Sequence, residues 1–155
     1  MEIAIPGYGE LRLTWLVMDY NGTLAIDGRL IEGVKPVLNR LSESLTLHVL
    51  TADTFGIAKA GLEGVSCELT VLPKNDQQEG KLNFIQELGA GETAAIGNGR
   101  NDRLMLRDAA LGIGVILEEG ACMETLMAAD VVCPSIVSAL ELLLNPLRLT
   151  ATLRS

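Results

Sequence analysis

The stretch that decides the fold is "LVMDYNGTL", residues 16–24. An apolar run ends abruptly at Asp19, and Asn, Gly and Thr follow at positions 21–23. A buried strand that ends on a carboxylate holds that side chain rigidly against the core, and Gly22 lets the chain turn away sharply. The pattern predicts a strand over residues 13–18, followed at its tip by a nucleophile or a ligand.

Short β-rich runs alternate with helical stretches along the rest of the chain. The pattern predicts an α/β fold, a Rossmann-like parallel sheet with helices on both faces. Residues 24–31 read as a small β-hairpin flap with an Asp-Gly turn. No long insertion interrupts the predicted elements, so we expect no inserted domain. Strands are predicted over 46–50, 67–72, 93–96, 112–116 and 130–133, and helices over 34–44, 51–62, 79–88, 102–110, 121–129 and 135–144.

The length of 155 residues suits one domain over 1–155, with its core at about 13–144. Residues 1–10 give no clear pattern. In the tail, 147–155, leucines alternate with polar residues, so we expect either an edge strand or a contact in a homo-oligomer.

The net charge of −8 and the aromatic content of 3% argue against binding to nucleic acid or to anionic membranes. A phosphorylated ligand would therefore need a local cation, a lysine or a helix N-terminus. Cys67, Cys122 and Cys133 lack the spacing of a metal site and are expected to be free thiols. No signal-peptide pattern or membrane-spanning apolar run is present, so we expect a soluble, cytoplasmic protein.

Polar side chains collect where the predicted strands end, the edge at which parallel sheets bind ligands. Carboxylates and amides there could ligate a hard cation such as Mg²⁺, while a threonine and a lysine could hold phosphoryl oxygens. These side chains are Asp19, Asn21, Thr51, Asp53, Lys74, Lys81, Asn98, Asn101 and Asp102.

The stretches "DYNGTL", "LTAD" and "IGNGRNDRLML", with a lysine between the last two, resemble the four motifs of the haloacid dehalogenase-like (HAD) superfamily. The similarity spans roughly residues 13–140. It is greatest to the phosphorylation domain of P-type ATPases and to small soluble relatives of that domain. The resemblance implies an Mg²⁺-dependent phosphatase acting on a small-molecule or macromolecular phosphate ester or anhydride. Because no long insertion is present between the hairpin at 24–31 and the next helix, or between Leu72 and Glu79, we expect the protein to lack the cap domain of this superfamily.

The resemblance also implies a role for each matching residue. Asp19 would be the nucleophile that forms an aspartyl phosphate, and Lys81, with Lys74 as the competing candidate, would bridge it to the phosphate. Implied catalytic residues are Asp19, Asn21, Thr51 and Lys81. Implied phosphate-binding residues are Thr51, Ala52, Lys81 and Asn101. Implied metal ligands are Asp19, Asn21 through its backbone carbonyl, Asn98 and Asp102.

Two asparagines depart from the usual phosphatase pattern. Asn21 stands where a second aspartate normally acts as general acid/base, a contribution worth about 10²–10⁴-fold. Asn98 replaces the first aspartate of the last motif and brings an amide oxygen without charge. We therefore expect a preference for good leaving groups and weakened metal binding. A slow or non-catalytic Mg²⁺- or phosphate-binding regulatory protein, and a phosphotransferase, remain alternatives.

Other features have simpler interpretations. His48 lies inside an apolar strand and is expected to be a core or sheet-face residue. The stripe of Leu104, Met105, Met123, Leu126 and Met127 is expected to be core packing. "GNGRND", residues 97–102, lacks the third glycine of a dinucleotide-binding loop, and the aspartate in its place would repel a pyrophosphate.

Overall fold

The central feature of the fold is a parallel sheet of six strands. The computed structural model describes residues 1–53 and 56–155. The strands are β3 (Trp15–Asp19), β6 (Thr46–Thr51), β7 (Glu68–Val71), β8 (Thr93–Gly97), β9 (Leu111–Val115) and β10 (Val131–Cys133). Their order across the sheet is β10-β9-β8-β3-β6-β7. Strand β3 pairs with β6 on one side and β8 on the other. The chain therefore reverses its direction of travel across the sheet beside β3, the place where such sheets bind ligands.

Helices cover both faces of this sheet. On one face α1 (Val34–Leu41) packs against α6 (Ile136–Leu144), and on the other α3 (Gln77–Leu88) packs against α4 (Arg103–Asp108). Strand β3 serves both faces, because Leu16 and Met18 join the larger core cluster while Val17 joins the smaller one. The remaining helices are α2 (Ile57–Gly61), α5 (Met123–Leu126) and α7 (Pro146–Leu153).

The predicted flap is present as an antiparallel hairpin of β4 (Ala25–Ile26) and β5 (Arg29–Leu30). Its turn residues Asp27 and Gly28 have φ of 49° and 77°, as a two-residue hairpin turn requires. The fully buried Tyr20 donates from its hydroxyl to the Gly28 carbonyl oxygen at 3.2 Å. This bond joins the flap turn to the residue that directly follows Asp19.

No cap domain is inserted between the flap and α1 or between β7 and α3, two connections that lie wholly within the described residues. Both connections are only a few residues long. Neither connection therefore places an inserted domain over the edge of the sheet where β3 ends. The predicted α/β fold and the absence of a cap are confirmed.

The two ends of the chain are the parts that the sequence pattern described least well. Residues 1–12 form an antiparallel hairpin of β1 (Glu2–Ile5) and β2 (Gly9–Arg12). The tail is the helix α7, so the edge-strand alternative is wrong. Pro146 in its first turn favours a helix, and Leu149 and Leu153, one turn apart, are buried and half-buried. The oligomer contact stays a prediction.

The stripe predicted to be core packing is only partly buried. Leu104 and Met105 of α4 are buried, but the side chains of Met123 and Met127 are 67% and 81% exposed. Helix α5 has only four residues and turns the hydroxyl-bearing Thr125 inward instead. That part of the prediction is wrong, because α5 spans only Met123–Leu126 and is too short to bury a helical stripe.

His48 of β6 is buried as predicted, and lies between two aromatic rings. Its ring centroid is 5.7 Å from that of Trp15 and 5.4 Å from that of Phe84 on α3. Its Nδ1 is 3.5 Å from a Glu68 carboxylate oxygen, too long for a good hydrogen bond. Burial lowers the pKa of His48, and Glu68 opposes the shift.

The three cysteines are free thiols, as predicted: Cys133 is buried, and Cys67 and Cys122 are half-buried. Within the described ranges no single helix is long and apolar enough to cross a membrane. The two C-terminal helices reach that length only together, across a bend of 102°.

Candidate active site

Asp19 closes β3 and lies at the centre of a buried polar cluster. The residue is buried, with 7% of its surface exposed. Its Oδ1 accepts a hydrogen bond from Lys81 Nζ at 2.6 Å, and its Oδ2 accepts one from the Thr23 hydroxyl at 3.3 Å. The strand tip that the sequence singled out therefore carries a fixed, hydrogen-bonded carboxylate.

Lys81 joins Asp19 to Asp102. It belongs to α3, is 1% exposed, and places its Nζ 2.6 Å from Asp102 Oδ1 as well as from Asp19 Oδ1. Lys74, the competing candidate, is exposed in the loop after β7. Of the two lysines, it is Lys81 that lies between the carboxylates.

Asp102 also fixes the loop that follows β8. Its Oδ2 accepts hydrogen bonds from the backbone N–H groups of Asn98 and Gly99 at 3.0 and 2.9 Å. A Cβ added to Gly97 would lie 2.5 Å from the carboxyl carbon of Asp102, so only glycine leaves room for this contact. The first glycine of "GNGRND" thus leaves room for the Asp102 carboxylate.

Thr23 is a residue of the buried cluster that the sequence pattern did not single out as a site residue. Its hydroxyl is fully buried and lies 3.3 Å from Asp19 Oδ2 and 3.2 Å from Asn98 Oδ1. A hydroxyl has one proton to donate, so these two oxygens share one donor. We call Asp19, Thr23, Lys81, Asn98 and Asp102 the inner cluster.

The other predicted site residues are called the outer rim here, and they are Asn21, Thr51, Ala52 and Asn101; of these, Thr51 is buried at 1% exposed. Asn21 is exposed, and its Nδ2 lies 3.5 Å from the Thr51 hydroxyl, at the limit of a hydrogen bond. The Thr51 hydroxyl accepts from the Asp53 N–H at 3.0 Å. Ala52 and Asn101 are half-buried, and no contact found in the described part of the chain places either against Asp19.

Solved structures with the same arrangement of strands and helices identify the fold. A 3-deoxy-D-manno-octulosonate 8-phosphate phosphatase from Moraxella catarrhalis, in complex with magnesium, phosphate and its sugar acid, matches with a TM-score of 0.70 at 18% identity, over 86% of each chain. The cobalt-bound phosphatase of this kind from Haemophilus influenzae matches with 0.70 at 15% identity, over 90% of this chain and 89% of that one. The chain has the HAD-like fold.

Sequence comparison adds an archaeal relative. The uncharacterized protein MJ0073 of Methanocaldococcus jannaschii is 47% identical over 78 residues, which make up 48% of this chain and 84% of that protein. The chain belongs to the same family as MJ0073. A second uncharacterized protein of that organism, MJ0072, is 46% identical over 39 residues, 25% of this chain and 89% of its own length. No model of a known protein family matches the sequence.

Within this HAD-like fold the inner cluster carries more negative than positive charge. Burial, and then the charge of Asp102, raise the pKa of Asp19 to about 7, although Lys81 and Thr23 oppose the shift. Burial by itself lowers the pKa of Lys81, but Asp102 and Asp19 outweigh it and the pKa is raised. One ammonium therefore faces two carboxylates, which leaves a deficit of positive charge.

The donor set of the HAD-like site fits a hard divalent cation. Asp19 Oδ2 makes no bond to Lys81 and lies near Asn98 Oδ1 through their shared contact with Thr23. Oxygen donors of this kind, with the backbone carbonyl of Asn21, are those that Mg²⁺ prefers. Among the described residues, no group of three or more His, Cys, Asp and Glu side chains is placed to hold a metal ion. A cation here would depend on two carboxylates, an amide and backbone oxygen.

Proposed function

We propose that the protein is a divalent-cation-dependent phosphohydrolase, with Mg²⁺ as its cation, that acts through an aspartyl phosphate on Asp19. The observation that carries the proposal is the convergence of Asp19 and Asp102 on one ammonium, Lys81 Nζ, with both contacts at 2.6 Å. Residues 62 and 21 positions away from Lys81 meet it at the carboxyl edge of the sheet. The HAD-like fold of solved phosphatases supports the same reaction class.

The inner cluster is suited to nucleophilic attack on phosphorus. An oxygen of Asp19 forms a bond to phosphorus while the bond from phosphorus to the leaving oxygen breaks, and the leaving group departs with that electron pair. Water then attacks the phosphorus of the aspartyl phosphate while the bond from phosphorus to the Asp19 oxygen breaks. Inorganic phosphate leaves with the proton of the attacking water, and the Asp19 carboxylate is restored. Lys81 offsets negative charge at the reacting carboxylate, and the Thr51 hydroxyl would bind a phosphoryl oxygen.

A divalent cation, when bound, would supply further charge neutralisation between the nucleophile and the phosphoryl group. Asp19, Asn98, Asp102 and the backbone carbonyl of Asn21 are the groups that would hold it. Asn21 carries no titratable proton, so the leaving group must depart largely unaided. Acyl and aryl phosphates and anhydrides are therefore preferred to alkyl esters.

The proposal is tested by incubating the protein with Mg²⁺ and with acetyl phosphate, an aryl phosphate, an alkyl phosphate and a sugar-acid phosphate. Phosphate release and covalent mass gain are both measured. We expect release from the first two substrates, and none from Asp19→Asn. If the wild-type protein and Asp19→Asn release phosphate at the same rate, Asp19 is not the nucleophile and the proposal fails.

A slow or non-catalytic cation- or phosphate-binding protein is the second candidate, favoured by the absence of a titratable group at both Asn21 and Asn98. It predicts cation binding without phosphate release from any substrate. A trapped mass gain of one phosphoryl group without release would instead indicate very slow turnover or a phosphotransferase.

A further inference from the structure

The turn after β9 reaches back to the inner cluster and brings an additional carboxylate to it. Asn98 holds this turn at two points: its Nδ2 donates to the Gly120 carbonyl oxygen at 3.0 Å, and its carbonyl oxygen accepts from the Cys122 N–H at 2.9 Å. Glu119 directly precedes the first of these anchors. Its position is therefore set by the same residue that stands in place of an aspartate.

The Glu119 carboxylate spans the space between the flap and Asn98. Its Oε1 accepts a hydrogen bond from the Asp27 N–H at the flap turn, at 3.0 Å. Its Oε2 lies 3.0 Å from the point where a Cβ on Gly22 would stand, and Asn98 Oδ1 lies 3.0 Å from that same point. Asn98 Nδ2 lies 2.8 Å from this point, so a glycine at 22 leaves room for the Glu119 carboxylate and the Asn98 amide to lie close to each other.

The charges around this space favour the binding of a cation. The inner cluster sets two carboxylates against Lys81, and Asn98 adds an oxygen without charge. Mg²⁺ binds oxygen ligands and favours carboxylates among them. Glu119 is exposed, so its side chain can change rotamer at small cost, and a short movement would bring Oε2 towards Asn98.

We propose that Glu119 supplies the third carboxylate of the cation site, replacing the charge that Asn98 lacks. The inference rests on the proposed function, because it concerns the same cation. It makes Glu119 a residue of the cation site that also holds the flap turn. Binding of the cation would draw the carboxylate away from Asp27 and loosen its hold on the flap.

The neighbouring Glu118 provides a matched control. It is also exposed, but it lines a separate cavity of about 390 Å³ with Ile26, Ile136 and Val137. Glu118→Gln and Glu119→Gln remove the same charge at adjacent positions. A glutamine at 119 can still accept a hydrogen bond from the Asp27 N–H. If Glu119 served only to hold the flap turn, this substitution would therefore have little effect.

The test is titration of Mg²⁺ into the protein by calorimetry, which does not depend on turnover. Glu119→Gln is expected to raise the dissociation constant about tenfold, in the range seen when groups that support a metal site are removed. Glu118→Gln is expected to change it less than about twofold, because a solvated charge outside the site is screened. Equal effects of the two substitutions would overturn the inference.

Adding Asn98→Asp sharpens the result. With a carboxylate at 98, the loss caused by Glu119→Gln should shrink, because neighbouring ligands of one ion are coupled. If Glu119→Gln weakens Mg²⁺ binding equally with Asn and with Asp at position 98, Glu119 does not replace the charge that Asn98 lacks. If Mg²⁺ binds the wild-type protein and Asp19→Asn weakens that binding, while Glu119→Gln has no effect, only this inference fails. If the wild-type protein binds no Mg²⁺, the proposed function fails with it.

Discussion

The inner cluster and the outer rim of the site differ in how firmly their side chains are held. Asp19, Lys81 and Asp102 are buried and joined by contacts of 2.6 Å. On the rim, Asn21 is exposed and its contact with Thr51 is 3.5 Å long. The difference shows that the nucleophile and the charges around it are fixed by the fold, whereas the exposed Asn21 side chain at the edge of the site can adjust its position. Substitutions in the cluster should therefore affect both stability and activity, and those at the exposed Asn21 activity alone.

The largest effect is expected for Lys81→Met. It would leave two buried carboxylates without a counter-charge, and breaking a buried ion pair from one side costs about 3–5 kcal/mol. Urea unfolding at pH 8 should show this loss, and phosphate release should fall to the level of Asp19→Asn. The exposed Lys59→Met is the control. If both variants unfold alike, the inner cluster does not hold its charges as described.

Asp19→Asn should abolish phosphate release yet raise the free energy of unfolding at pH 8. In the folded protein the pKa of Asp19 is about 7, raised first by burial and then by Asp102, while an unfolded aspartate titrates near about 3.9. A raised folded pKa stabilises the protein fully below the unfolded value, and this stabilisation is lost as the pH rises through about 7. The gain from Asn should therefore be clear at pH 8 and small at pH 5.

Urea unfolding of Asp19→Asn at the two pH values checks this, with the exposed Glu43→Gln as the matched change of carboxylate to amide. A gain of equal size at pH 5 and pH 8 would contradict the raised pKa. If Asp19→Asn is less stable than the wild type at pH 8, the charge of the Asp19 carboxylate is fully compensated in the folded protein.

Thr23→Val is expected to have an intermediate effect. Valine fills nearly the same volume but leaves Asp19 Oδ2 and Asn98 Oδ1 without their shared donor, a loss of about 1–3 kcal/mol for a buried site. Phosphate release should fall about tenfold, because the Asp19 carboxylate loses one of the two hydrogen bonds that position it. Thr23→Ser keeps the hydroxyl and should recover most of the activity. If serine and valine behave alike, the hydroxyl is not what matters at this position.

The smallest change in stability is expected at the rim, for Asn21→Asp. An exposed substitution of this kind typically lies within about 0.5 kcal/mol of the parent. It restores a general acid/base, so alkyl phosphate turnover should rise by at least about tenfold, while acyl phosphate turnover should change little. Steady-state rates on the two substrates give the ratio. An unchanged ratio would show that position 21 does not face the leaving group.

The sequence predicted what depends on spacing along the chain. The strand tips at Asp19, Thr51 and Asn98, and the Asp-Gly flap, follow from periodicity and turn chemistry. It did not reveal what depends on side-chain direction and on contacts between distant segments. Thr23 reads as an ordinary turn residue until the loop after β8 brings Asn98 beside it, and Glu119 reads as surface charge until its turn meets the flap.

The wrong predictions have a related cause. Met123 and Met127 fit a helical stripe, but α5 ends before that stripe can be buried. The leucines of the tail alternate with polar residues and so fit the period of a strand. In the structure, Leu149 and Leu153 lie on one face of a helix that begins at Pro146. Short or terminal segments take their conformation from the surface on which they pack.

The place of Trp15 decides what an optical experiment on this protein would report. It is the only tryptophan of the chain. It lies at the start of the strand that ends in Asp19, with its ring tilted by 54° against that of His48. At about 3.3 Å per residue the indole stands roughly 13 Å from the nucleophile. Its emission is suited to following the unfolding of the sheet and the protonation of the neighbouring imidazole, and it would be a poor gauge of anything that binds at the opposite end.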